Sequence, residues 1–356
     1  MHKINVNPIV REDCISIIKD NNFLLKKLTG KKILITGGNG FLMSYLVDVL
    51  VYWNELNKNK ENIIYVIDNC KKFDRISYLK NRKDVKLIRK DVSKIKKINS
   101  RIDYIIHGAS IASPTYYRIF PLKTLDANIL GTRTMLNLAK QKKIRSMIFM
   151  SSSEVYGDPN KENIPTSESY SGNVSFTGPR ACYDESKRVG ETICNIYKKK
   201  YQIPIKIIRP FNVYGPNQNI EDKRIIPDLL KSALKKNTIE LYSDGKDTRS
   251  FCYVSDAISL ILKILLSGKI SETAFNVGND KREISVRDIS KLFVKLTNNL
   301  LKKKIRIVYK KSKDKHYLSD NPRRRKPNIN LAKKKLNWKP KVDLVSGLTR
   351  TLKSYL

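Results

Sequence analysis

A glycine-rich turn constrains the fold of this chain more than any other segment. It reads Thr36-Gly37-Gly38-Asn39-Gly40-Phe41 and joins an apolar strand predicted at 32–36 to an amphipathic helix predicted at 41–56. Gly37 permits a tight turn, and Gly40 lets the backbone approach a pyrophosphate at the positive end of the helix. Because glycine spacing alone also fits an ordinary strand-to-helix loop, a dinucleotide site needs support from elsewhere in the chain.

An acidic residue at the end of the next predicted strand supplies this support. Asp68 closes the strand predicted at 62–68, where its carboxylate can accept hydrogen bonds from the ribose hydroxyls of an adenosine. The same charge would repel the extra phosphate of NADP, so the sequence predicts NAD as the cofactor. Asp68 lies 31 residues after Gly37, against about 20 in the usual motif, and the long helix with its loop at 57–62 absorbs the difference.

The third position of the motif departs from the usual pattern. Met43 stands where a glycine normally permits close packing of helix on strand. A methionine can fold into irregular space, but it must displace something. We therefore expect the turn to bind NAD with a locally shifted helix.

Strands and helices alternate over the first two-thirds of the chain. Further strands are predicted at 85–89, 103–107, 146–151 and 205–210, and further helices at 125–140 and 183–200. This alternation predicts an α/β fold, a Rossmann-type doubly wound parallel sheet with a smaller mixed α/β substrate-binding lobe. The predicted divisions are an N-terminal extension at 1–29, an NAD-binding domain at 30–213 with 246–278 returning to it, and a substrate-binding lobe at 214–245 and 279–356.

The net charge is strongly positive, with 71 Lys and Arg residues against 33 Asp and Glu, a formal balance of +38. Such a balance can indicate nucleic-acid binding. However, the lysines are scattered, and the clusters at 302–304 and 323–326 lack the interleaved aromatic residues of a base-stacking surface. We interpret the charge as compositional drift together with an anionic small substrate, and predict no nucleic-acid partner.

Cysteine usage and hydropathy indicate the compartment. The five cysteines form an odd set without any C-x-x-C pair, which argues against a disulfide framework or a zinc site, and no metal is predicted. No window contains eighteen uncharged apolar residues, and residues 1–5 do not begin a secretory signal. The prediction is a soluble cytoplasmic protein without a membrane partner.

Two clusters of reactive side chains follow in the order that a nicotinamide enzyme needs. Ser151-Ser152-Ser153-Glu154 comes directly after the strand predicted at 146–151, at the edge of the sheet where such folds bind ligands. Tyr183 and Lys187, four residues apart, share one face of a helix. We expect the lysine ammonium and a positive nicotinamide to lower the pKa of the phenol, so that it can remove a proton from a sugar hydroxyl.

With these motifs the chain resembles the extended short-chain dehydrogenase/reductases, and within them the UDP-glucuronate decarboxylase and sugar-nucleotide dehydratase group. The resemblance runs from about residue 31 to the carboxyl terminus. Besides the glycine turn, it is carried by His107-Gly-Ala-Ser, Ser152-Ser-Glu154-Val-Tyr-Gly157, Gly178-Pro-Arg-Ala-Cys-Tyr183-Asp-Glu-Ser-Lys187, Pro210-Phe-Asn212-Val-Tyr-Gly-Pro216, Asp247-Thr-Arg249 and Asn321-Pro-Arg-Arg-Arg325-Lys-Pro.

The resemblance implies a role for each matching residue. Tyr183 would be the base, Lys187 its partner and a ribose ligand, and Ser152 a donor to the reacting oxygen. Asn212 would hold the substrate pyrophosphate, and Arg249 would meet the phosphates or the sugar near carbon 5. Arg325 would be a further anion contact, although it could equally belong to a solvated basic run. The predicted residues are Tyr183, Lys187, Ser152, Ser153 and Glu154 for catalysis; Gly37, Gly40, Phe41, Leu42, Asp68, Asp91, Tyr183 and Lys187 for the cofactor; and Asn212, Arg249, Arg325, Lys123 and Tyr117 for the substrate.

The pair Ser153-Glu154 distinguishes among the reactions that the resemblance implies, all of which begin by oxidising carbon 4 of a nucleotide sugar. A 4,6-dehydratase uses adjacent carboxyls at these positions, whereas a serine is a poor general acid. Ser-Glu matches the decarboxylases, in which a 4-keto uronate loses carbon dioxide as a β-keto acid. The prediction is therefore conversion of UDP-glucuronate to UDP-xylose or a 4-keto pentose. A dTDP-glucose-type 4,6-dehydratase, a nucleotide-sugar 4-epimerase and a non-catalytic NAD-binding relative stay as alternatives.

Two further expectations follow from the resemblance. Members usually pair as homodimers through a helix bundle that includes the helix of the catalytic tyrosine, here Tyr183. Several positions depart from the usual family residue and suggest a divergent branch: Met43 for Gly, Gly108 for Leu, Thr115 for Pro, Ser186 for Gly and Asn217 for Arg.

Overall fold

The computed structural model describes residues 7–58, 61–268, 270–312, 314 and 318–356. The expected lack of a secretory signal concerns residues 1–5, which lie outside the described residues. The first part of the chain forms the elements α1 (Pro8–Leu25), β1 (Lys32–Thr36), α2 (Phe41–Leu56), β2 (Ile63–Asp68), β3 (Val85–Arg89), β4 (Tyr104–His107), α3 (Pro114–Ile119), α4 (Pro121–Lys142), β5 (Ser146–Met150), α5 (Ala181–Tyr201) and β6 (Ile205–Pro210).

The second part contains shorter strands between its helices. Its elements are β7 (Asn212–Tyr214), α6 (Ile225–Lys235), β8 (Thr238–Leu241), β9 (Thr248–Arg249), β10 (Phe251–Tyr253), α7 (Val254–Leu266), β11 (Ala274–Val277), β12 (Ile284–Ser285), α8 (Val286–Leu301), β13 (Arg306–Tyr309), β14 (Arg324–Arg325), α9 (Asn330–Leu336) and α10 (Leu344–Lys353). Among the described residues, no helix is long and apolar enough to span a bilayer.

A seven-stranded sheet organises the described residues, in the order β11-β6-β5-β4-β1-β2-β3. All of its strands run parallel, and Thr36 at the end of β1 pairs with Ile67 on one side and His107 on the other. The chain leaves β1 in one direction and returns on its other side at β4, so the strand order reverses at β1. Because ligands bind at the carboxyl ends of parallel strands at such a reversal, this edge positions the site. The predicted Rossmann-type fold is confirmed.

Helices cover both faces of the sheet and bury its apolar residues. On one face α2 and α7 join the larger core, in which every residue of α7 except Lys263 is buried. On the other face α4 and α5 pack together over a second core that includes Met135, Phe149 and Cys194. Continuous apolar strands such as β4 and β5 are buried throughout, as expected for a parallel sheet covered on both faces.

The amino-terminal segment forms a core helix, which the mixed pattern of residues 1–29 did not predict. Asn7 caps α1 by accepting a hydrogen bond from the backbone of Ile9, and Pro8 occupies its first turn. The buried face of α1 packs on α2 and α7. Asp13 accepts hydrogen bonds from the hydroxyls of Tyr45 and Tyr253, at 2.5 and 2.8 Å, which ties α1 to both neighbouring segments.

Small sheets form the rest of the described carboxyl-terminal part. They pair β7 with β10, β8 with β13, and β9 with β12 and β14, while β11 joins the main sheet beside β6. Strand β11 joins the main sheet and α7 packs on it, and the predicted division, in which 246–278 returns to the NAD-binding domain, stays a prediction. The pairing of β9 with β14 brings Arg249 beside Arg325, which matters for the site described below.

Candidate active site

A single cleft of 950 Å³ runs along the carboxyl edge of the main sheet and into the carboxyl-terminal lobe. Its walls include both the glycine turn and the predicted catalytic residues, so the structure brings together groups from distant parts of the sequence. The predicted residues that line it are Gly37, Gly40, Phe41, Leu42, Tyr117, Ser152, Ser153, Glu154, Tyr183, Lys187, Asn212, Arg249 and Arg325.

The glycine turn has the backbone geometry that a pyrophosphate needs. Gly37 has φ +72°, and a Cβ atom there would lie 2.8 Å from the backbone of Gly108 and Ala109. Gly40 precedes α2 with no side chain capping the helix, so the first N–H groups of α2 are not occupied by a cap. A helix terminus of this kind attracts anions. These residues fit the diphosphate of a dinucleotide.

Asp68 lies beside the glycine turn at the end of β2. Its carboxylate accepts hydrogen bonds from the backbone N–H of Asn39 and of Cys70, both at 3.0 Å. The side chain is only partly buried, so the carboxylate can still accept further hydrogen bonds from a ribose. The predicted adenosine-binding role accords with this position and stays a prediction.

Met43 is buried with 3% of its surface exposed, and its side chain packs directly against Gly108. Helix α2 nevertheless begins at Phe41, as the sequence predicted. The segment after β4 leaves space for the methionine side chain, because residue 108 in this segment is a glycine.

Tyr183, in the first turn of α5, is buried between Ser152 and Tyr117. The hydroxyl of Ser152 hydrogen-bonds to the phenol, and the ring of Tyr117 stacks on that of Tyr183 with centroids 4.9 Å apart. Burial raises the pKa of Tyr183 to about 12, although the bond to Ser152 lowers it. In the chain by itself, removal from water outweighs the favourable contacts, and the predicted lowering of this pKa by Lys187 together with a positive nicotinamide stays a prediction for the NAD-bound site.

Lys187 lies one helical turn beyond Tyr183. Its Nζ donates a hydrogen bond of 2.7 Å to the carbonyl of Met150, and it lies 5.7 Å from the ring centroid of Tyr183. Burial lowers the pKa of Lys187 to about 7. The pair predicted from the sequence is thus assembled, with the ammonium directed at the end of β5.

Glu154 forms the centre of a charged cluster in the wall of the cleft near Tyr183. Arg180 donates to the Glu154 carboxylate at 2.5 Å, and Arg325 donates to the same oxygen at 2.8 Å. Burial by itself raises the pKa of Glu154, but the two arginines outweigh it and lower the pKa to about 2. Glu154 is therefore a fixed anion, and Arg325 belongs to the cleft and not to a solvated basic run.

Arg249 adds a third guanidinium to this cluster. It donates to the carbonyls of Thr248 and Arg323, and burial together with the charge of Arg325 lowers its pKa to about 10. Asp184 faces the cluster from α5, 3.7 Å from Arg180, with a pKa raised to about 8 by burial and by the charge of Glu154. Asp247 lies 3.7 Å from Arg249, so the three guanidinium groups face the carboxylates of Glu154 and Asp247 besides Asp184 with its raised pKa, and the cluster carries more positive than negative charge.

Besides Asp68, two predicted residues lie outside the lining of the cleft. Lys123 is exposed on the outer face of α4, with its Nζ 5.2 Å from the ring centroid of Phe120, because the inward positions of this turn are taken by Thr124 and Asn128. Asp91 caps a short 3-10 turn by accepting from the backbone and hydroxyl of Ser93. Neither residue is among those that line the cleft.

Arg180 is the functional candidate that sequence reasoning missed. It lies within the family-like segment 178–183, but the sequence by itself indicates no role for it. The available signal was its position three residues before Tyr183, at the start of the helix, which directs its side chain towards Glu154.

The chain is similar to known proteins over most of its length. The model of the NAD dependent epimerase/dehydratase family matches residues 33–278. UDP-glucuronic acid decarboxylase 6 of Arabidopsis thaliana is 38% identical over 319 residues, which cover 89% of this chain and 86% of that protein. UDP-glucuronic acid decarboxylase 1 of Xenopus tropicalis is 36% identical over 324 residues, 90% of this chain and 71% of that protein.

Solved structures also superpose on most of this chain, at lower sequence identity than these two relatives. The UDP-glucuronic acid 4-epimerase of Bacillus cereus, in complex with UDP-glucuronic acid and NAD, superposes with a TM-score of 0.74 at 26% identity, covering 91% of this chain and 98% of that chain. The dTDP-glucose 4,6-dehydratase of Bacillus anthracis, in complex with NAD, has a TM-score of 0.73 at 25% identity, covering 91% of this chain and 96% of that chain.

Proposed function

The chain belongs to the NAD-dependent epimerase/dehydratase family, and on this premise we propose that it decarboxylates UDP-glucuronate by way of a 4-keto intermediate. The product is UDP-xylose, or a 4-keto pentose if the intermediate is released before reduction. The curated relatives named UDP-glucuronic acid decarboxylase support this assignment.

The observation that carries the proposal is the arginine cluster beside the catalytic tyrosine. Arg180 and Arg325 both contact the ionised carboxylate of Glu154 in a buried part of the cleft, and Arg249, beside Arg325, lies 3.7 Å from Asp247, so three guanidinium groups face two carboxylates there. Unbalanced buried charge is costly, so the cluster favours an incoming anion. A uronate brings a carboxylate at carbon 6, whereas a neutral hexose brings none.

NAD, when bound, supplies a hydride acceptor and a positively charged ring. We assign its diphosphate to the turn at Gly37 and Gly40 with the N-terminus of α2, and its adenosine ribose to Asp68. Lys187 is the residue assigned to the second ribose. Asn212, which lines the same cleft, is assigned to the substrate pyrophosphate.

Side chains of the protein carry out the proton transfer and stabilise the carbonyl group that forms. Tyr183 takes the proton from the hydroxyl at carbon 4, and Ser152, already hydrogen-bonded to the phenol, steadies the carbonyl that forms. The 4-keto uronate is a β-keto acid, so it loses carbon dioxide without a base at carbon 5. Arg325 and Arg180 hold the carboxylate until it leaves as carbon dioxide, and carbon 5 of the resulting enolate then takes a proton from solvent water. Tyr183 returns its proton to the carbon-4 oxygen when the ketone is reduced to UDP-xylose.

The neighbourhood of Glu154 disfavours dehydration. A 4,6-dehydratase needs a base at carbon 5 and an acid at carbon 6. With a pKa of about 2, Glu154 is a weak base, and Ser153 in the neighbouring position is a poor acid. Decarboxylation needs neither group, which is why we rank it first.

Two further parts of the proposal concern assembly and location. Helices α4 and α5 pack side by side and expose the apolar side chains Leu122, Leu130, Val189 and Ile196 on their outer faces. We propose that a second copy covers this surface in a symmetric homodimer.

We propose the cytoplasm as the compartment, because the odd cysteine count without C-x-x-C spacing favours reducing conditions. We propose carbohydrate biosynthesis as the process that the enzyme serves.

The deciding experiment is incubation with UDP-glucuronate labelled at carbon 6. Release of labelled carbon dioxide with formation of UDP-xylose and no net consumption of NAD supports the proposal, and equimolar NADH indicates the 4-keto pentose. Formation of a C4 epimer that retains the label, or conversion of dTDP-glucose to its 4-keto-6-deoxy product, would overturn it. Inertness towards both sugars with intact NAD binding would point to a non-catalytic relative.

A further inference from the structure

Met43 and Gly108 meet at the floor of the cofactor-binding part of the cleft. An ideal Cβ atom at residue 108 would lie 2.6 Å from Cγ and 2.7 Å from Sδ of Met43. Both residues line the cleft, Met43 from the first turn of α2 and Gly108 from the segment after β4. The methionine therefore occupies the space that a side chain at residue 108 would need.

The backbone of Gly108 does not itself demand glycine. Its φ lies outside the left-handed region, unlike that of Gly37. The other close atom is the carbonyl oxygen of Thr36, at 3.1 Å, which is tight but farther away than Met43. The steric reason for glycine at residue 108 is thus chiefly the side chain of Met43.

The backbone at residue 108 cannot easily move away from this contact. The backbone N–H of Gly108 donates to the carbonyl of Thr36 at 3.1 Å, and that of Ala109 donates to the Thr36 hydroxyl at 3.2 Å. Gly37 packs so closely on the same segment that a Cβ atom would lie 2.8 Å from it. A shift of residue 108 would therefore disturb the turn assigned to the cofactor diphosphate.

We propose that Met43 and Gly108 form a reciprocal pair that positions the N-terminus of α2 for the cofactor. Met43 fills the gap between α2 and the segment after β4, where dinucleotide-binding turns ordinarily achieve close packing with a glycine on the helix. Gly108 accommodates the methionine from the opposite side. Met43 is a positioning residue and takes no part in the chemistry; the cofactor role rests on the proposed function, whereas the packing role does not.

The test is a double-mutant cycle with two readouts on the full chain. Met43→Gly, Gly108→Leu and the double variant are compared by Tm without NAD and by calorimetric Kd for NAD. We expect Gly108→Leu to lower Tm and to weaken NAD binding at least tenfold, and Met43→Gly to have a smaller effect through the space it vacates. The double variant should regain both values, with Kd within about threefold of the unmodified chain.

A matched control keeps the result specific. Met135→Gly also empties a buried methionine site, but on α4 in the other core, so it should not rescue Gly108→Leu. Additive losses in the double variant, or equal rescue by Met135→Gly, would overturn the pairing. If the unmodified chain binds no NAD, the proposed function fails, while the Tm readout still decides whether the two residues are coupled.

Discussion

The Nζ of Lys187 lies 2.7 Å from the carbonyl oxygen of Met150, the last residue of β5. The same ammonium is 5.2 Å from the ring centroid of Phe149 and 5.7 Å from that of Tyr183. One carbonyl and two aromatic faces compensate a buried cation only in part, which is why its pKa falls to about 7. Lys187, the predicted partner of Tyr183, thus lowers the stability of the folded chain.

Lys187→Met should stabilise the NAD-free protein in a pH-dependent way while abolishing activity. Between the folded pKa of about 7 and the ordinary value of 10.5, the unfolded chain binds a proton that the folded chain does not, so stability rises with pH there. Below pH 7 the folded and the unfolded chain both bind this proton, so the folded chain bears the full free-energy cost of burying the charged lysine. We expect the variant to be more stable by about 2 kcal/mol at pH 6, with the difference shrinking towards pH 10.

Urea unfolding at pH 6, 8 and 10 measures this difference. Lys199→Met, at the exposed end of the same helix, serves as the control and should show no such trend. A stability difference that is constant over this pH range would contradict the origin assigned to the shift.

Tyr183→Phe should remove the proton acceptor and leave the cleft intact. The ring keeps its stacking on Tyr117, so the fold and NAD affinity should change little. The rate of carbon dioxide release should fall by about 10²- to 10⁴-fold. Tyr197→Phe removes a hydroxyl farther along the same helix and should retain activity. A Tyr183→Phe variant with near-normal turnover would mean that another group accepts the proton.

The central strands could be predicted almost to the residue because their apolar runs are short and bounded by glycine or charge. Strands β1, β3 and β6 and helix α2 have the predicted bounds. Helix α1 was missed because its buried face mixes Asp13 and Asn21 with apolar residues, and the side-chain partners of both polar groups come from distant segments. Local pattern does not reveal such tertiary pairing.

The candidate site shows the same contrast between local motifs and contacts that only the fold creates. The turn at Gly37 and the pair Tyr183 and Lys187 are local motifs, and the structure brings them to one cleft. The role of Arg180 was missed and that of Arg325 was not decided, because both depend on ion pairs with Glu154. The fold brings Glu154 between the two arginines from another segment. Lys123 was predicted as a substrate contact, but it lies exposed on α4, outside the lining of the cleft, because Thr124 and Asn128 take the inward positions.

Glu154→Gln should destabilise the chain above pH 4.5 and progressively less below it. Because the folded pKa is depressed to about 2, the stability that Glu154 contributes is present above its ordinary pKa of 4.5 and is lost as the pH falls towards 2. Two buried guanidinium groups would lose their partner at neutral pH, at a cost of about 3 kcal/mol.

Chemical unfolding at pH 7 and pH 3 measures the Glu154 effect. The control is Glu185→Gln, whose partly exposed pair with Arg188 at 3.5 Å should contribute less than about 1 kcal/mol. Equal losses for Glu154→Gln at both pH values would argue that its charge is not what the arginines require.

Arg325→Met should impair selection of the uronate more than general binding of nucleotide sugars. We expect kcat/KM for UDP-glucuronate to fall about 100-fold, since a charge-assisted contact to its carboxylate is lost. The inhibition constant of UDP-glucose, which has no carboxylate, should change by less than about threefold. Arg324→Met is the matched control, because Arg324 pairs with Glu283 outside the cleft. Parallel losses for both sugars would refute carboxylate recognition by Arg325.

Asp13→Ala should detach α1 from the rest of the core. The carboxylate is 5% exposed and is bonded at 2.8 Å to Arg350 of α10, besides the hydroxyls of Tyr45 and Tyr253. Removing it leaves three buried or half-buried donors without their acceptor, at a cost of about 2–4 kcal/mol. Glu12→Ala removes a second partner of Arg350, but this side chain is 63% exposed, so the loss should stay below about 1 kcal/mol. Urea unfolding of both variants measures the contrast, and equal losses would show that α1 is held by apolar packing alone.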